Sequence, residues 1–403
     1  MEPGIVYAAA TDLGGVGLAE VVFHAVDAAY QAGLLQQAVV FRNRQGRLGS
    51  PWVKTVRFQP FKVLSWLPAR YYYTMRRDTL DRTAARYIRR HGAALVHGWT
   101  NESRQTLAAA RQAGAVAVLE RNFCHPRQSL EIMAAEYAGR GVPWPPPPQP
   151  WLRFWDHWTR EQTRALEEFA LADYILVPSQ FAYETFINQG HAPEKLVLIP
   201  RGVDVSRFQP GSPPEDVFRV LFVGLLGFRK GVPYLLEAWE RLGLKDAELV
   251  LVGSVHDEIR PTLRAYEHLP NLKIVGFHPD PAALFAQSTV FCFPSLDEGS
   301  AKVTYEALAA GLPLITTPEA GSVARDGREG IIIPPRQVEP LMAALERLYR
   351  NPQEIQAMSQ AARARAQHFT WEHYAGRLVA FYRHALTAPG ARFVLPPDLD
   401  FDH

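Results

Sequence analysis

The sequence predicts an α/β chain of two doubly wound parallel sheets in tandem, and three observations carry that expectation. Short runs rich in Val, Ile and Leu alternate with longer stretches of helical period, the pattern of βα units laid into a parallel sheet. The length, 403 residues, gives room for two or three domains at roughly 100 to 200 residues each. The Pro/Gly/Ser cluster Phe208-Gln209-Pro210-Gly211-Ser212-Pro213-Pro214 falls between two similar sets of strand signals.

In the first set, strands are expected at Ile5–Ala10, Ala38–Phe41, Ala94–His97, Val116–Leu119, Tyr174–Val177 and Leu196–Ile199. In the second they are expected at Arg219–Val223, Glu248–Val252, Lys273–Val275, Val290–Phe293, Leu314–Thr316 and Gly330–Ile333. Residues 1–205 are read as one Rossmann-like domain and 206–370 as another. The helix over 371–388 has a mixed apolar face that suits either half, and a return to the first is the expectation, with 389–403 as a tail. The run Pro143 to Pro150 reads as a polyproline II loop.

Composition narrows the function classes. Apolar residues make up 47% and charged ones 21%, ordinary globular usage that excludes a disordered, collagenous or coiled-coil chain. With 43 Lys+Arg against 41 Asp+Glu, whole-molecule charge gives no case for nucleic-acid binding. Cys124 and Cys292 are the only cysteines and make no disulfide framework, so a reducing cytoplasm is the simpler reading. Neither a signal-peptide pattern at Met1 to Tyr7 nor an apolar run of about 18 residues occurs; the expected location is cytoplasmic, with attachment to the inner face of a membrane as the other option.

In an open parallel sheet ligands bind where strands end and helices begin, so residues after strands are weighed first. After the first strand comes Asp12-Leu13-Gly14-Gly15-Val16-Gly17-Leu18-Ala19-Glu20, a glycine loop opening a helix, suited to a phosphate. It falls short of a dinucleotide fingerprint because Glu20 stands at the third glycine position, and a turn needed only for strand-helix packing is the competing reading. After the first strand of the second half, Gly224-Leu225-Leu226-Gly227-Phe228-Arg229-Lys230-Gly231 places two cations at a helix start. The helix dipole disfavours them there unless an anion is bound, which suits a diphosphate.

The most specific stretch follows Phe293. Glu298 leaves the strand end and Glu306 lies two helical turns on, so two carboxylates can accept hydroxyls of one neutral polyol. A solvated helix face is the ordinary reading of such a pair, and the context Pro294-Ser295, Glu298-Gly299 and Ala310-Gly311-Leu312-Pro313 lifts it above that.

These residues resemble the nucleotide-sugar site of retaining glycosyltransferase family 4, which has the GT-B fold of two Rossmann-like domains facing an interdomain cleft. Ala172 to Ser179, Ile199-Pro200-Arg201-Gly202-Val203-Asp204 and Asp326-Gly327-Arg328-Glu329-Gly330 also match, and the resemblance is strongest from about Asp173 to Pro335. It implies that Glu298 contacts the donor sugar, Glu306 the ribose, and Arg229 with Lys230 the diphosphate. It further implies that backbone amides around Ser300, Ala301 and Lys302 help hold the phosphate, that Phe277 and His278 lie near the base, and that Gly224 and Gly15 line the phosphate path. A histidine near the donor sugar is another family feature; His97 ends a first-half strand and His125 follows one, and strand order favours His125.

The implied reaction moves a sugar from a nucleoside diphosphate to an acceptor hydroxyl of a glycan, polysaccharide or lipid-linked precursor, with retention, no metal and no cofactor. Family members often carry Arg where this chain has Leu225, and Arg229 is the residue placed to supply that charge. A nucleotide-sugar-binding protein without catalysis is the alternative that Leu225 keeps open. An Asp-x-Asp suited to a metal occurs only in the tail, at Asp398-x-Asp400 and Asp400-x-Asp402.

Between Arg42 and Arg90 stand thirteen basic residues against two acids, Asp78 and Asp81, with aromatics interleaved. This segment suits an anionic membrane surface or a lipid-phosphate acceptor as well as it suits a solvated face.

Overall fold

A strand buried on both faces must be apolar along its whole length, and the first strand, Ile5–Ala8, is buried at every residue. The computed structural model of the chain describes residues 4–15, 17–56, 59, 69–144, 157–213 and 216–397. Among these, the first sheet is built from β1 (Ile5–Ala8), β2 (Leu35–Val40), β3 (Val53–Thr55), β4 (Leu95–Trp99), β5 (Val116–Glu120), β6 (Tyr174–Val177) and β7 (Leu196–Leu198). The second is built from β8 (Phe218–Val223), β9 (Ala247–Val252), β10 (Leu272–Gly276), β11 (Val290–Phe293), β12 (Leu314–Thr316) and β13 (Gly330–Ile332).

Strand order is β3-β2-β1-β4-β5-β6-β7 in one sheet and β10-β9-β8-β11-β12-β13 in the other, with parallel pairing. The order reverses between β1 and β4 and again between β8 and β11. Crevices for ligands open at the carboxyl ends of strands at such reversals. All twelve expected strands are present, three with the expected bounds and the others with ends shifted by up to three residues. Strand β3 was not expected, because Val53-Lys54-Thr55 is a half-exposed three-residue edge strand with too little alternation to announce itself.

The helix Trp371–Thr387 packs on the first sheet, its Trp371, Tyr374, Leu378, Phe381 and Tyr382 sharing one core with Ile5, Tyr7, Val118 and Tyr174. The Tyr382 hydroxyl meets His97 Nδ1 at 2.7 Å. The following residues are not a free tail at first: Tyr174 donates to the Ala391 carbonyl at 2.9 Å, and Phe393 packs on Phe381. The chain passes between the sheets at two adjoining points, where the Val203 N–H donates to the Phe369 carbonyl at 2.8 Å.

Several sequence expectations lie outside the described residues: Arg57, Phe58, Phe61, Lys62 and Trp66 of the basic segment, residues 145–150 of the proline run, Pro214 and 398–403 with the Asp-x-Asp pairs. Among the described residues, no helix is long and apolar enough to cross a membrane.

Candidate active site between the two sheets

The chain leaving β8 turns through Gly224 to Gly227, forms one turn of 3-10 helix over Phe228–Lys230, and re-enters a helix, Val232–Leu242. Gly231 makes the junction. Its φ is +69°, and a Cβ there would lie 1.9 Å from the Pro294 carbonyl oxygen, so only glycine fits. That close approach seats the Arg229-Lys230 pair against the segment after β11: the Leu296 N–H donates to the Arg229 carbonyl at 2.8 Å. Leu225 points outward, 42% exposed.

The two cations are held differently. The Arg229 guanidinium lies over the ring of Phe123, 5.1 Å from its centroid, and Phe123 belongs to the loop after β5 in the first domain. It forms no ion pair among the described residues. Lys230 is largely enclosed, its side chain 12% exposed, and ion-pairs with Glu298. Burial, and then the neighbouring charge of Arg229, push the Lys230 ammonium well below its ordinary range, while Asp297 opposes the shift.

The segment Pro294 to Gly299 is buried throughout. Glu298 also accepts from the Ser295 hydroxyl at 3.3 Å. Asp297 is fully buried and accepts from two first-domain groups, the Cys124 thiol at 2.9 Å and the Ser129 hydroxyl at 2.5 Å. Gly299 brings the backbones together, since a Cβ there would lie 2.1 Å from the Asn122 carbonyl oxygen. The Ser179 hydroxyl donates to the Gly299 carbonyl from the other side.

Beyond this, the helix Lys302–Ala309 begins. Ser300 hydrogen-bonds with the Tyr305 hydroxyl at 2.9 Å, and the Ala301 N–H is engaged with the Ala320 carbonyl at 2.9 Å. Lys302 reaches across to Glu20 on the helix Leu18–Gln31 and lies 3.4 Å from Glu306. Burial raises the Glu306 carboxyl above its ordinary value, and the nearby Glu20 adds to this, against Lys302. Glu20, which spoils the dinucleotide fingerprint, is thus an interdomain contact. Gly15 sits just before it with φ +144°, a conformation open to glycine.

Arg229, Lys230, Glu298, Ser300, Ala301, Lys302 and Glu306 therefore form one seam along the ends of β8 and β11, with Gly224 at its start. Phe277 and His278 stand apart at the end of the edge strand β10, both exposed, Phe277 at 74%. His125 is turned into the first domain. Its ring is 1% exposed and packs against Phe169, Phe186 and His191, and its Nδ1 accepts from the Arg127 N–H at 3.3 Å as the N-cap of the helix Pro126–Gly139.

Burial, then the neighbouring His191, lower the His125 pKa to about 3, so the ring stays neutral in the fold. A lowered folded value means that the unfolded chain binds the proton more readily. The stability this group contributes is full above the ordinary 6.5 and is lost as pH falls toward about 3. Melting temperature measured from pH 7 to pH 4 should fall more steeply for the wild type than for His125→Gln. Equal slopes would contradict the buried, neutral ring.

Residues invisible to sequence reasoning complete the seam. Helix Pro126–Gly139 leaves its own domain to join the second core through Met133 and Tyr137, and Tyr234 donates to its Glu136 at 2.7 Å. The signal for Glu20 was its misfit to the glycine fingerprint, and for Cys124 its isolation as a thiol beside a strand end. Asp297 and Phe123 carried none, since their roles exist only once two distant loops meet.

Two family models match the chain, Glycosyltransferase Family 4 over residues 17–207 and Glycosyl transferases group 1 over residues 217–351. The MMP alpha-(1->4)-mannosyltransferase of Mycolicibacterium hassiacum is 31% identical over 257 residues, 60% of this chain and 61% of that protein. The D-inositol 3-phosphate glycosyltransferase of Saccharomonospora viridis is 29% identical over 257 residues, 56% of this chain and 60% of that protein. The chain thus spans about three fifths of the length of these curated relatives. Among solved structures, sucrose-phosphate synthase from Thermosynechococcus elongatus is similar with a TM-score of 0.71 at 19% identity, covering 96% of this chain and 100% of that one. Anabaena HepE in complex with UDP and glucose is similar at 0.64 and 17% identity, covering 95% of this chain and 100% of that one. At such identities the likeness is one of fold.

Proposed function

Because the chain belongs to glycosyltransferase family 4 and has the GT-B fold, we propose that it transfers a sugar from a nucleoside-diphosphate sugar to an acceptor hydroxyl, with retention at the anomeric carbon and without a metal. One observation carries the reading: two cations, Arg229 and the largely enclosed Lys230, sit at the reversal point of the second sheet beside Glu298. An enclosed ammonium with one carboxylate partner and a second cation beside it gains from an incoming anion. In this reading the donor diphosphate takes Lys230 from Glu298, which frees that carboxylate for sugar hydroxyls, and Glu306 takes ribose hydroxyls. Charge building on the leaving phosphate is met by Arg229 and Lys230, and this stabilisation is the main catalytic contribution. The leaving phosphate accepts the acceptor's proton, so no side-chain base is required. Phe277 and His278 at the end of β10 and Gly15 at the end of β1 are the proposed contacts to base and phosphate, and the acceptor is proposed to be a glycan or lipid-linked precursor meeting the first domain. UDP-glucose and its fragments, of the kind bound by Anabaena HepE, are the first donors to try. Outward-pointing Leu225 favours a second reading, a donor-binding protein without transfer.

Proton NMR of the product formed from a panel of nucleotide sugars, with and without EDTA, tests the proposal. An axial-to-axial or equatorial-to-equatorial outcome unchanged by EDTA is expected. An inverted anomer, or a rate abolished by EDTA and restored by Mg²⁺, would overturn the stereochemical or the metal-free part respectively.

A further inference from the structure

Away from the seam, a groove of about 860 Å³ opens between the edge strand β3 and the helix Ala69–His91. Lys54 from the strand and Arg82 and Arg86 from the helix line it, together with the hydroxyl-bearing Thr55, Thr79 and Thr83. None of the three cations forms an ion pair among the described residues. The sequence between β3 and this helix, residues 57–68, contains no Asp or Glu that could serve as a partner.

The acids of the helix are committed elsewhere. Asp81 is buried on the opposite face, accepting from the Thr106 N–H and hydroxyl and from Arg164, and Asp78 also pairs with Arg164. Two other arginines of the same helix are satisfied, Arg76 by Asp12 and Arg77 by Glu161. On this helix, then, Arg76 and Arg77 have carboxylate partners and both acids are engaged with Arg164, while Arg82 and Arg86 stand four residues apart on the groove. Like charges at that spacing disfavour a helix unless an anion lies between them. The Thr79 and Thr83 hydroxyls donate to the carbonyls of Met75 and Thr79 at 2.8 and 2.7 Å, which fixes their orientation at the groove wall. Lys54 lies 5.6 Å from the Tyr87 ring centroid, which holds its ammonium beside the arginines.

We propose that this groove is a phosphate-binding site, in which Lys54, Arg82 and Arg86 take the phosphoryl group of a ligand distinct from the sugar donor. Guanidinium forks match phosphate oxygens bidentately, and the lysine adds a point charge. The phosphate can belong to a soluble phosphate ester or to a lipid headgroup, and one experiment separates these.

Inorganic pyrophosphate is titrated calorimetrically into the full chain as wild type, as Arg229→Ala, and as Arg82→Ala/Arg86→Ala. In parallel, each is co-sedimented with phosphatidylcholine vesicles with and without phosphatidic acid. Pyrophosphate binding that survives Arg229→Ala and weakens about tenfold or more in Arg82→Ala/Arg86→Ala supports a soluble ligand. Vesicle binding that needs phosphatidic acid and is lost in the same double variant supports a lipid headgroup. Arg86→Glu should abolish whichever binding is seen, and melting temperature checks that each variant is folded. Equal binding by the wild type and Arg82→Ala/Arg86→Ala in both arms, or no binding in either arm at millimolar phosphate, overturns the proposal.

Discussion

Replacing Arg229 with Ala should lower kcat about 10²- to 10³-fold while leaving the melting temperature near that of the wild type. The expectation of a stable variant rests on the side chain being half-buried and free of ion pairs among the described residues, so little of the fold depends on it. The large effect on rate follows from its place. Its guanidinium is parked over Phe123 of the first domain while its backbone accepts from Leu296 beside Glu298, so the charge spans both sides of the seam without being spent on a carboxylate. Arg229→Lys keeps the charge but loses the planar contact with Phe123 and the fork, and should fall between the two. Initial rates at saturating donor check this. A raised KM with kcat unchanged would mean that Arg229 binds ground state and transition state equally, and would remove it from catalysis.

Gly299→Ala should be as damaging by a different route. The added methyl would lie 2.1 Å from the Asn122 carbonyl oxygen and 2.6 Å from the Phe123 Cα, both backbone atoms that cannot swing aside. The two loops must separate, and with them go the Asp297 contacts to Cys124 and Ser129 and the perch of Arg229 on Phe123. Displacements of about 1 Å at positioning residues can cost 10²-fold in rate, so activity should fall by that order. Each sheet should remain folded, because most of its core comes from its own layers, with Met133 and Tyr137 the main side chains that the first half lends to the second core. Kinetics together with small-angle X-ray scattering check this: loss of activity with an enlarged radius of gyration is expected, and wild-type activity with unchanged scattering would contradict the close interdomain contact.

The two sheets were legible because strands buried on both faces announce themselves as apolar runs. β1 and β11 are buried at every residue, and the sequence marks both. β3 escaped because it is short and exposed and carries Lys54. Arg229, Lys230, Glu298 and Glu306 were legible because each follows a strand or opens a helix within a local pattern. Glu20, Phe123, Cys124 and Asp297 were not, since their partners lie 173 residues away for Cys124 with Asp297 and 282 residues away for Glu20 with Lys302. No local pattern encodes such meetings. His125 shows the converse: its place after β5 suited a site, while the aromatic rings that enclose it come from other helices.

Melting temperature against a panel of nucleoside diphosphates tests most directly whether the cation pair is a diphosphate site. A diphosphate at about 100 times its Kd should stabilise the wild type by roughly 2.7 kcal/mol, and Arg229→Ala should lose most of that stabilisation. If no nucleoside diphosphate raises the melting temperature at millimolar concentration, or if Arg229→Ala responds as the wild type does, the seam between β8 and β11 is not the donor site.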